Sequence, residues 1–206
     1  MSERMAFHVN TSACTNCKVC QIVCKDKNDL PVGVTWRRVT QYGGGGWVAK
    51  GKVLVPDGVF TYSVSTSCMN CAKPACAEVC PSGAIAKRSG GMVLIDAKKC
   101  RACRACEKAC PYHAPQFHAA KAVMTKCDFC QDLLAKGHNP ACVDACPLRA
   151  IEFGPLDELQ AKHGLVNAIE PLPPARTGPS LVITPHRHAQ RSGEGTGKVI
   201  ALPARA

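Results

Sequence analysis

The sequence predicts an α+β fold made of two duplicated cysteine-rich modules, a short β insert and an extended C-terminal tail. Three observations predict it. The cysteines fall into four regularly spaced runs, short strand-like segments flank these runs, and only 5% of the residues are aromatic, too few for an ordinary aromatic-rich core. A chain of 206 residues is long enough for one or two domains.

The third cysteine run has the spacing C-x2-C-x2-C-x3-C-P and begins at Cys100. In bacterial ferredoxins this spacing holds a [4Fe–4S] cluster with three closely spaced thiolates, while the fourth binds a second cluster. The four runs together use all sixteen cysteines, and they are Cys14, Cys17, Cys20, Cys24; Cys68, Cys71, Cys76, Cys80; Cys100, Cys103, Cys106, Cys110; and Cys127, Cys130, Cys142, Cys146. We therefore expect four [4Fe–4S] clusters, with all sixteen cysteines as ligands.

Repetition extends beyond the cysteines. The segments Cys80-Pro81-Ser82-Gly83-Ala84-Ile85 and Cys146-Pro147-Leu148-Arg149-Ala150-Ile151 share one pattern, and the segment from Cys110 is a broken copy of it. Repeats of this kind indicate duplicated supersecondary units. The predicted unit is a two-cluster ferredoxin, present twice.

Two other uses of cysteine are disfavoured by the spacing. A disulfide scaffold would also have an even cysteine count, but C-x2-C pairs are too close for ordinary bridges. Residues 1–10 contain charges and have no apolar core, so we expect no secretory signal that would deliver the protein to an oxidising compartment. Zinc sites use paired C-x2-C knuckles and do not require the longer C-x2-C-x2-C-x3-C-P runs.

The net charge of +11 resembles that of a nucleic-acid-binding protein. Four oxidised clusters with their thiolates would contribute about −8, however, which brings the assembled protein close to neutrality. No basic pattern with interleaved aromatic residues is present, so we expect no nucleic-acid partner. The basic residues around the third run are expected either to offset cluster charge or to form a solvated face; they are Lys98, Lys99, Arg101, Arg104 and Lys108.

The remaining elements follow in chain order. Strands are predicted at 7–10, 34–42, 60–64, 92–95 and 181–183, with a flexible turn at Gly43–Gly46 and a connector at 112–126. A short helix is predicted over 156–164, ended by Gly164. From Pro171 onward prolines dominate, so the tail is expected to bury little core of its own and either to be disordered or to lie along a partner.

No catalytic motif accompanies the cysteines. The sequence has no phosphate-binding glycine loop and no dinucleotide fingerprint. Clusters ligated entirely by cysteine transfer electrons and leave no iron position open for a substrate. No apolar segment has the length of a membrane span. We therefore expect a non-catalytic electron-transfer subunit of an oxidoreductase complex that does not itself cross a membrane.

With these motifs in hand, the sequence resembles the four-cluster iron–sulfur subunit of the dimethyl sulfoxide reductase family over nearly its whole length. The resemblance includes Cys14-Thr15-Asn16-Cys17-Lys18, Ser67-Cys68-Met69-Asn70-Cys71, Met124-Thr125-Lys126-Cys127-Asp128 and Phe153-Gly154-Pro155-Leu156-Asp157-Glu158-Leu159. It implies that the protein relays electrons between an integral membrane subunit that oxidises quinol and a molybdenum–bis-pterin catalytic subunit. It also implies a bacterial complex in which this subunit is peripheral, either cytoplasmic or exported already folded with its partner.

The resemblance further implies how the cysteines are shared. Site I is Cys14, Cys17, Cys20 and Cys146; site II is Cys24, Cys127, Cys130 and Cys142; site III is Cys68, Cys71, Cys76 and Cys110; site IV, nearest the membrane subunit, is Cys80, Cys100, Cys103 and Cys106. The first module then comprises residues 1–30 and 115–153, the insert 31–66, the second module 67–114, and the short helix with its partner-binding tail 154–206.

Two rival functions stay open on the sequence. A subunit of a formate dehydrogenase or hydrogenase complex would have the same cysteine runs and carry electrons in the opposite direction. An autonomous polyferredoxin or maturation scaffold would bind its partner only transiently. Neither the substrate of the catalytic subunit nor the side of the membrane can be read from these residues.

Overall fold

A computed structural model describes residues 4–201, and they form an α+β fold. The strands are β1 (Met5–Asn10), β2 (Arg38–Lys50), β3 (Val53–Thr66), β4 (Ile85–Lys87), β5 (Val93–Ile95), β6 (Gln116–His118), β7 (Val123–Thr125), β8 (Ile151–Pro155), β9 (Leu181–Thr184) and β10 (Lys198–Ala201). The helices are α1 (Val19–Lys27), α2 (Ala75–Glu78), α3 (Ala105–Ala109), α4 (Gln131–Leu134), α5 (Ala141–Asp144) and α6 (Leu156–His163).

A three-stranded sheet organises the first module. Strand β1 lies at its centre, antiparallel to β8 and parallel to β9, with Phe7 opposite both Phe153 and Leu181. The rings of Phe7, Phe129 and Phe153 pack together with centroids 5.1–5.3 Å apart. Because β1 leads into the first cysteine run and β8 follows the last run, this pairing brings the two ends of the cysteine-rich region together.

Two small hairpins, β4–β5 and β6–β7, frame the second module. Met124 of β7 packs with Ile85 of β4 and Val93 of β5 in one apolar cluster, which also contains Cys76 and Cys106. The sequence assigned the β6–β7 hairpin to the first module, whereas its packing places it in the second core.

The insert is a long β2–β3 hairpin, and the prediction that Gly43–Gly46 forms its turn is wrong. These glycines lie inside β2, paired with β3 through a bulge between Gly44 and Gly46, and the polypeptide turns only at residues 51–52. At Gly45 the φ angle is +87°, and a Cβ there would collide with the backbone of Gly58. Glycine is therefore needed for the bulge, where the two strands approach closely, and does not mark a loop.

The expectation that the C-terminal tail buries little of its own core is also wrong. Strand β9 completes the sheet beside β1, and its side chains Leu181, Val182 and Ile183 are all buried. Upstream of β9, the carbonyl of Gly178 accepts a hydrogen bond of 2.7 Å from the amide of Ala72. The tail therefore stabilises both modules of its own polypeptide. Residues 202–206, which the sequence included in this tail, lie outside the described residues.

The helices are short, and α6 begins and ends as predicted. Asp157 and Glu158 lie in its first turn, where the positive end of the helix dipole favours them, and it stops before Gly164, whose φ is 90°. Within residues 4–201, no helix has both the length and the apolar character needed to cross a membrane.

Candidate iron–sulfur sites

All sixteen cysteines are free thiols, which excludes the disulfide scaffold. Ten of them are buried, and only two, Cys17 and Cys103, are exposed. The buried thiols lie within the apolar cores, beside Val9, Val39 and Ile151 in the larger one. The cores of this protein are therefore built around sulfur rather than around aromatic rings.

Two of the four predicted cysteine sets line cavities. One cavity is lined by Cys14, Cys17, Cys20 and Cys146, with Val9, Val39 and Ser65 in its wall. The other is lined by Cys68, Cys71, Cys76 and Cys110, with Lys126 and Thr177 in its wall. The cysteines named as site I and as site III are thus brought together in space, although each set comes from two different runs.

In the other two sets, most of the thiols are close enough to their own set's members to affect one another electrostatically. Burial raises the pKa of the Cys24 thiol to about 12, and the neighbouring thiols of Cys127, Cys142 and Cys130 act in the same direction. Burial likewise raises the pKa of Cys106 to about 11, with further contributions from Cys100 and Cys103. Cys80 joins Cys100 and Cys106 in the smaller apolar cluster. The structure therefore also brings together the cysteines named as site II, and it places Cys100, Cys103 and Cys106 of site IV together with Cys80 packed against the same apolar cluster.

Each run carries the same backbone feature just before its second cysteine. The residue there has a left-handed conformation, with φ between 41° and 63°, and the four residues are Asn16, Asn70, Ala102 and Phe129. In the first and third runs the residue after that cysteine is left-handed too, namely Lys18 and Arg104. Turns of this kind point successive N–H groups into one concavity, which suits an anion such as an iron–sulfur cluster.

The repeated C-P-x-x-A motif provides a hydrogen bond to its own cysteine. The amide of Ala150 donates to Cys146 Sγ at 3.3 Å, and that of Ala114 donates to Cys110 Sγ at 3.5 Å. The segment from Cys110, which the sequence presents as a broken copy, therefore keeps the function of the motif. Burial would raise the pKa of Cys80, but the Ser82 hydroxyl and backbone amides that include that of Ala84 lower it overall.

Two buried cations lie among the thiols, and the sequence did not identify either as functional. Arg37 is 1% exposed and donates to Ser65 Oγ at 3.1 Å and Ser67 Oγ at 3.3 Å, while its guanidinium stacks on the Phe7 ring at 4.2 Å. Lys126 is 4% exposed. The basic residues that the sequence suggested for charge compensation, from Lys98 to Lys108, are all exposed and form a solvated face. The only local signal was the position of Lys126 directly before Cys127.

The donor sets fit an anionic iron–sulfur cluster. Burial lowers the pKa of Arg37, but the surrounding thiols, led by Cys142 and Cys20, outweigh this and raise it overall, so Arg37 remains a cation. Its Nε is buried without a hydrogen-bond partner in the described part of the protein. A buried cation of this kind is stable only beside compensating negative charge. Four thiolates with bound iron and sulfide would provide it, because an oxidised [4Fe–4S] cluster with its thiolates carries about −2.

A second group of potential ligands lies away from the cysteines. The ligand atoms of His8, Glu152 and His163 all lie within 4.8 Å of one another. The two imidazole rings, however, stack face to face at 3.5 Å with 1° between their planes. Their nitrogen lone pairs are therefore parallel and do not converge on one ion. Lys162 also binds the second carboxylate oxygen of Glu152 at 2.8 Å, so this group acts as a structural clamp between β1, β8 and α6.

Two ferredoxin-like modules with four cysteine sets define the class of this protein, an iron–sulfur electron carrier. Comparison with known protein families supports the same class. A profile described as a 4Fe-4S dicluster domain matches residues 59–156, and one described as a 4Fe-4S binding domain matches residues 11–33.

The full-length relatives narrow the class to a family. The B subunit of the anaerobic dimethyl sulfoxide reductase of Escherichia coli K12 is 47% identical over 198 residues, which cover 96% of each protein. The B subunit of the polysulfide reductase of Wolinella succinogenes is 32% identical over 193 residues, covering 91% of this protein and 97% of that one. A thiosulfate reductase electron transfer subunit of Salmonella typhi is 35% identical over 156 residues, covering 73% of this protein and 75% of that one.

This protein belongs to the family of dimethyl sulfoxide reductase iron–sulfur subunits. It is an electron-transfer subunit of a reductase, and its cofactors are four [4Fe–4S] clusters.

Proposed function

We propose that this protein carries electrons from a quinol-oxidising membrane subunit to a molybdenum–bis-pterin catalytic subunit, with dimethyl sulfoxide or a related oxidised sulfur compound as the final acceptor. The protein itself would be peripheral to the membrane. The sixteen cysteines would hold the clusters as sites I to IV, and each bound cluster supplies reversible one-electron transfer. The names of the relatives support the reductase assignment.

The observation that carries the proposal is the serial order of the sites. Arg37 lies beside Cys20 of site I and beside Cys24 and Cys142 of site II. Cys127 of site II lies close enough to Cys68 of site III to raise its own pKa. Cys76 of site III shares an apolar cluster with Cys80 and Cys106 of site IV. With the cysteines shared as proposed, these proximities support a series of clusters in the order I, II, III, IV.

Exposure of the thiols supports the same order. The two exposed cysteines, Cys17 and Cys103, belong to the terminal sites I and IV, whereas all four cysteines of site II are buried. A carrier between two partners needs access to solvent-facing ligands at its ends and protection of its inner sites. A series whose terminal sites each have an exposed cysteine, and whose site II cysteines are all buried, meets that need.

The outer part of the β2–β3 hairpin, residues 47–56, which we call the hairpin tip, supports a stable protein partner at the site I end of the series of clusters. Trp47 and Leu54 are each 67% exposed, and they lie on the same face of the β2–β3 hairpin. The base of this hairpin forms the wall of the site I cavity through Val39 and Ser65. Because site IV is assigned to the membrane subunit, we propose that the tip docks on the catalytic subunit, which would bury these side chains.

The experiment is anaerobic purification of the tagged protein expressed with its neighbouring genes. We expect two partners to co-purify, one containing molybdenum, and we expect quinol-dependent reduction of dimethyl sulfoxide to require this subunit. A reduced viologen that donates directly to the catalytic subunit should support turnover without it.

Each alternative function has its own outcome in that experiment. A nickel-containing partner, or a partner that oxidises formate, would replace the proposal with the dehydrogenase or hydrogenase function. A protein that purifies alone, fully loaded with iron and without affinity for a partner, would establish an autonomous polyferredoxin.

A further inference from the structure

Lys126 is a buried ammonium at the junction between the two modules. It directly follows β7, and its Nζ donates hydrogen bonds to the carbonyl oxygen of Val93 and, at 3.2 Å, to that of Cys127. These two carbonyls hold the side chain in one place, since Val93 belongs to the core of the second module. A lysine is rarely buried to this extent unless negative charge lies nearby.

The position of Lys126 connects site II with site III. Its side chain lines the cavity formed by Cys68, Cys71, Cys76 and Cys110, which is site III. Its own peptide bond joins it to Cys127, a member of site II. The Cys68 thiol of site III is also close enough to Cys127 of site II to raise the pKa of Cys127.

No carboxylate compensates this ammonium within residues 4–201, where the ion pairs of lysine involve Lys27 and Lys162 only. The negative charge beside it comes from the cysteines. The Lys126 side chain lies in the cavity lined by Cys68, Cys71, Cys76 and Cys110. The Lys126 ammonium, which donates to two carbonyls, therefore faces the ligands of site III and adjoins site II through Cys127.

We propose that Lys126 raises the reduction potentials of sites II and III together and so matches them across the boundary between the modules. This inference rests on the ligand sets of the proposed function. A fixed positive charge stabilises the form of a cluster that has gained an electron, and the stabilisation is strong in a buried environment. Because this side chain lies in the site III cavity and binds the carbonyl of Cys127, a site II ligand, we expect sites II and III to share its effect more strongly than sites I and IV.

The test is a redox titration of the anaerobically purified complex, monitored by electron paramagnetic resonance. Lys126→Gln removes the charge but keeps an amide that can donate to Val93. We expect it to lower the reduction equilibrium constants of two of the four clusters by tenfold or more, which is about 59 mV for a one-electron couple. The other two should stay unchanged. Lys126→Arg retains the charge and should leave all four potentials as they are.

Two further measurements make the result specific. Lys121→Gln removes an exposed lysine from the turn just before β7 and should shift no potential, which controls for net charge. Combining Lys126→Gln with Cys103→Ser marks site IV by its altered signal, and that site should not be among the two that shift.

The outcomes that overturn the inference are distinct from failure of the proposed function. A uniform shift of all four potentials, no shift, or an equal shift in Lys126→Arg would show that this charge does not couple the inner sites. If the Lys126→Gln protein does not retain its iron, the test rests on Lys126→Arg. A changed reduction potential in Lys126→Arg then contradicts the inference. If the partner complex is lost but Lys126→Gln still lowers the potentials of two clusters, the proposed function is contradicted and this inference is not.

Discussion

Replacement of Cys103 by serine is the most direct perturbation of the proposed series of four clusters. Cys103 is the exposed member of site IV, whereas Cys106 is buried and Cys80 and Cys100 are half-buried. A hard serine oxygen would replace a soft thiolate at the position that water reaches most easily, so the iron held there should be lost. The other twelve cysteines, which form sites I to III, are not touched by this change.

The expected magnitude follows from the ligand count. One iron of about sixteen should be lost, so iron analysis should give about fifteen per protein molecule, and the change from a four-iron to a three-iron cluster should alter the potential of that site strongly. We expect quinol-driven turnover to fall at least tenfold, which corresponds to about 1.4 kcal/mol in activation free energy. Turnover with a reduced viologen should stay within about twofold, because that donor bypasses site IV.

The assays are anaerobic iron analysis, electron paramagnetic resonance of the oxidised complex, and the two activities measured side by side. Arg101→Ser is the matched control, because it changes an exposed residue of the same loop and removes no ligand. A new three-iron signal should occur in Cys103→Ser and be absent from both Arg101→Ser and the unsubstituted protein. Unchanged quinol-driven activity despite that signal would refute the placement of site IV next to the membrane subunit. A full iron content without the signal would refute Cys103 as a ligand.

Three further predictions concern stability and docking. Burial and the neighbouring His163 lower the pKa of His8 to about 4, so the unfolded state takes up its proton first, and stability should fall by about 1.5 kcal/mol between pH 6.5 and pH 5. Anaerobic urea unfolding should show this loss, and His8→Asn should lack it. Ala102 is left-handed, with φ 54°, so Ala102→Gly should stabilise the fold by about 1 kcal/mol. Ala105→Gly, at the first residue of α3, should give no such stabilisation, and the reverse order of stabilities would contradict this prediction. Leu54→Glu should weaken co-purification of the catalytic subunit without loss of iron, whereas Val32→Glu, at an exposed position away from the hairpin, should not.

The sequence alone determined the chemistry of the sites, because ligand spacing within a run is a local property. Three cysteines within seven residues can face one cluster from a single loop, whatever the rest of the protein does. For the same reason β1, β5, β9 and α6 were correctly predicted, since each has a local pattern of apolar residues, charges or glycine. The spacing could likewise indicate four clusters without a structure.

Only the tertiary structure decided which distant groups meet. Cys146 reaches the cavity of Cys14 because β8 pairs with β1, and β9 joins that sheet from more than 170 residues away along the sequence. The burial of Arg37 and Lys126 depends on elements packed over them from both modules, so neither could be told apart from the exposed basic residues by its neighbours in sequence. The glycines of β2 were wrongly taken for a turn for a similar reason. Their close approach to the facing strand is a property of the pair, and no single strand encodes it.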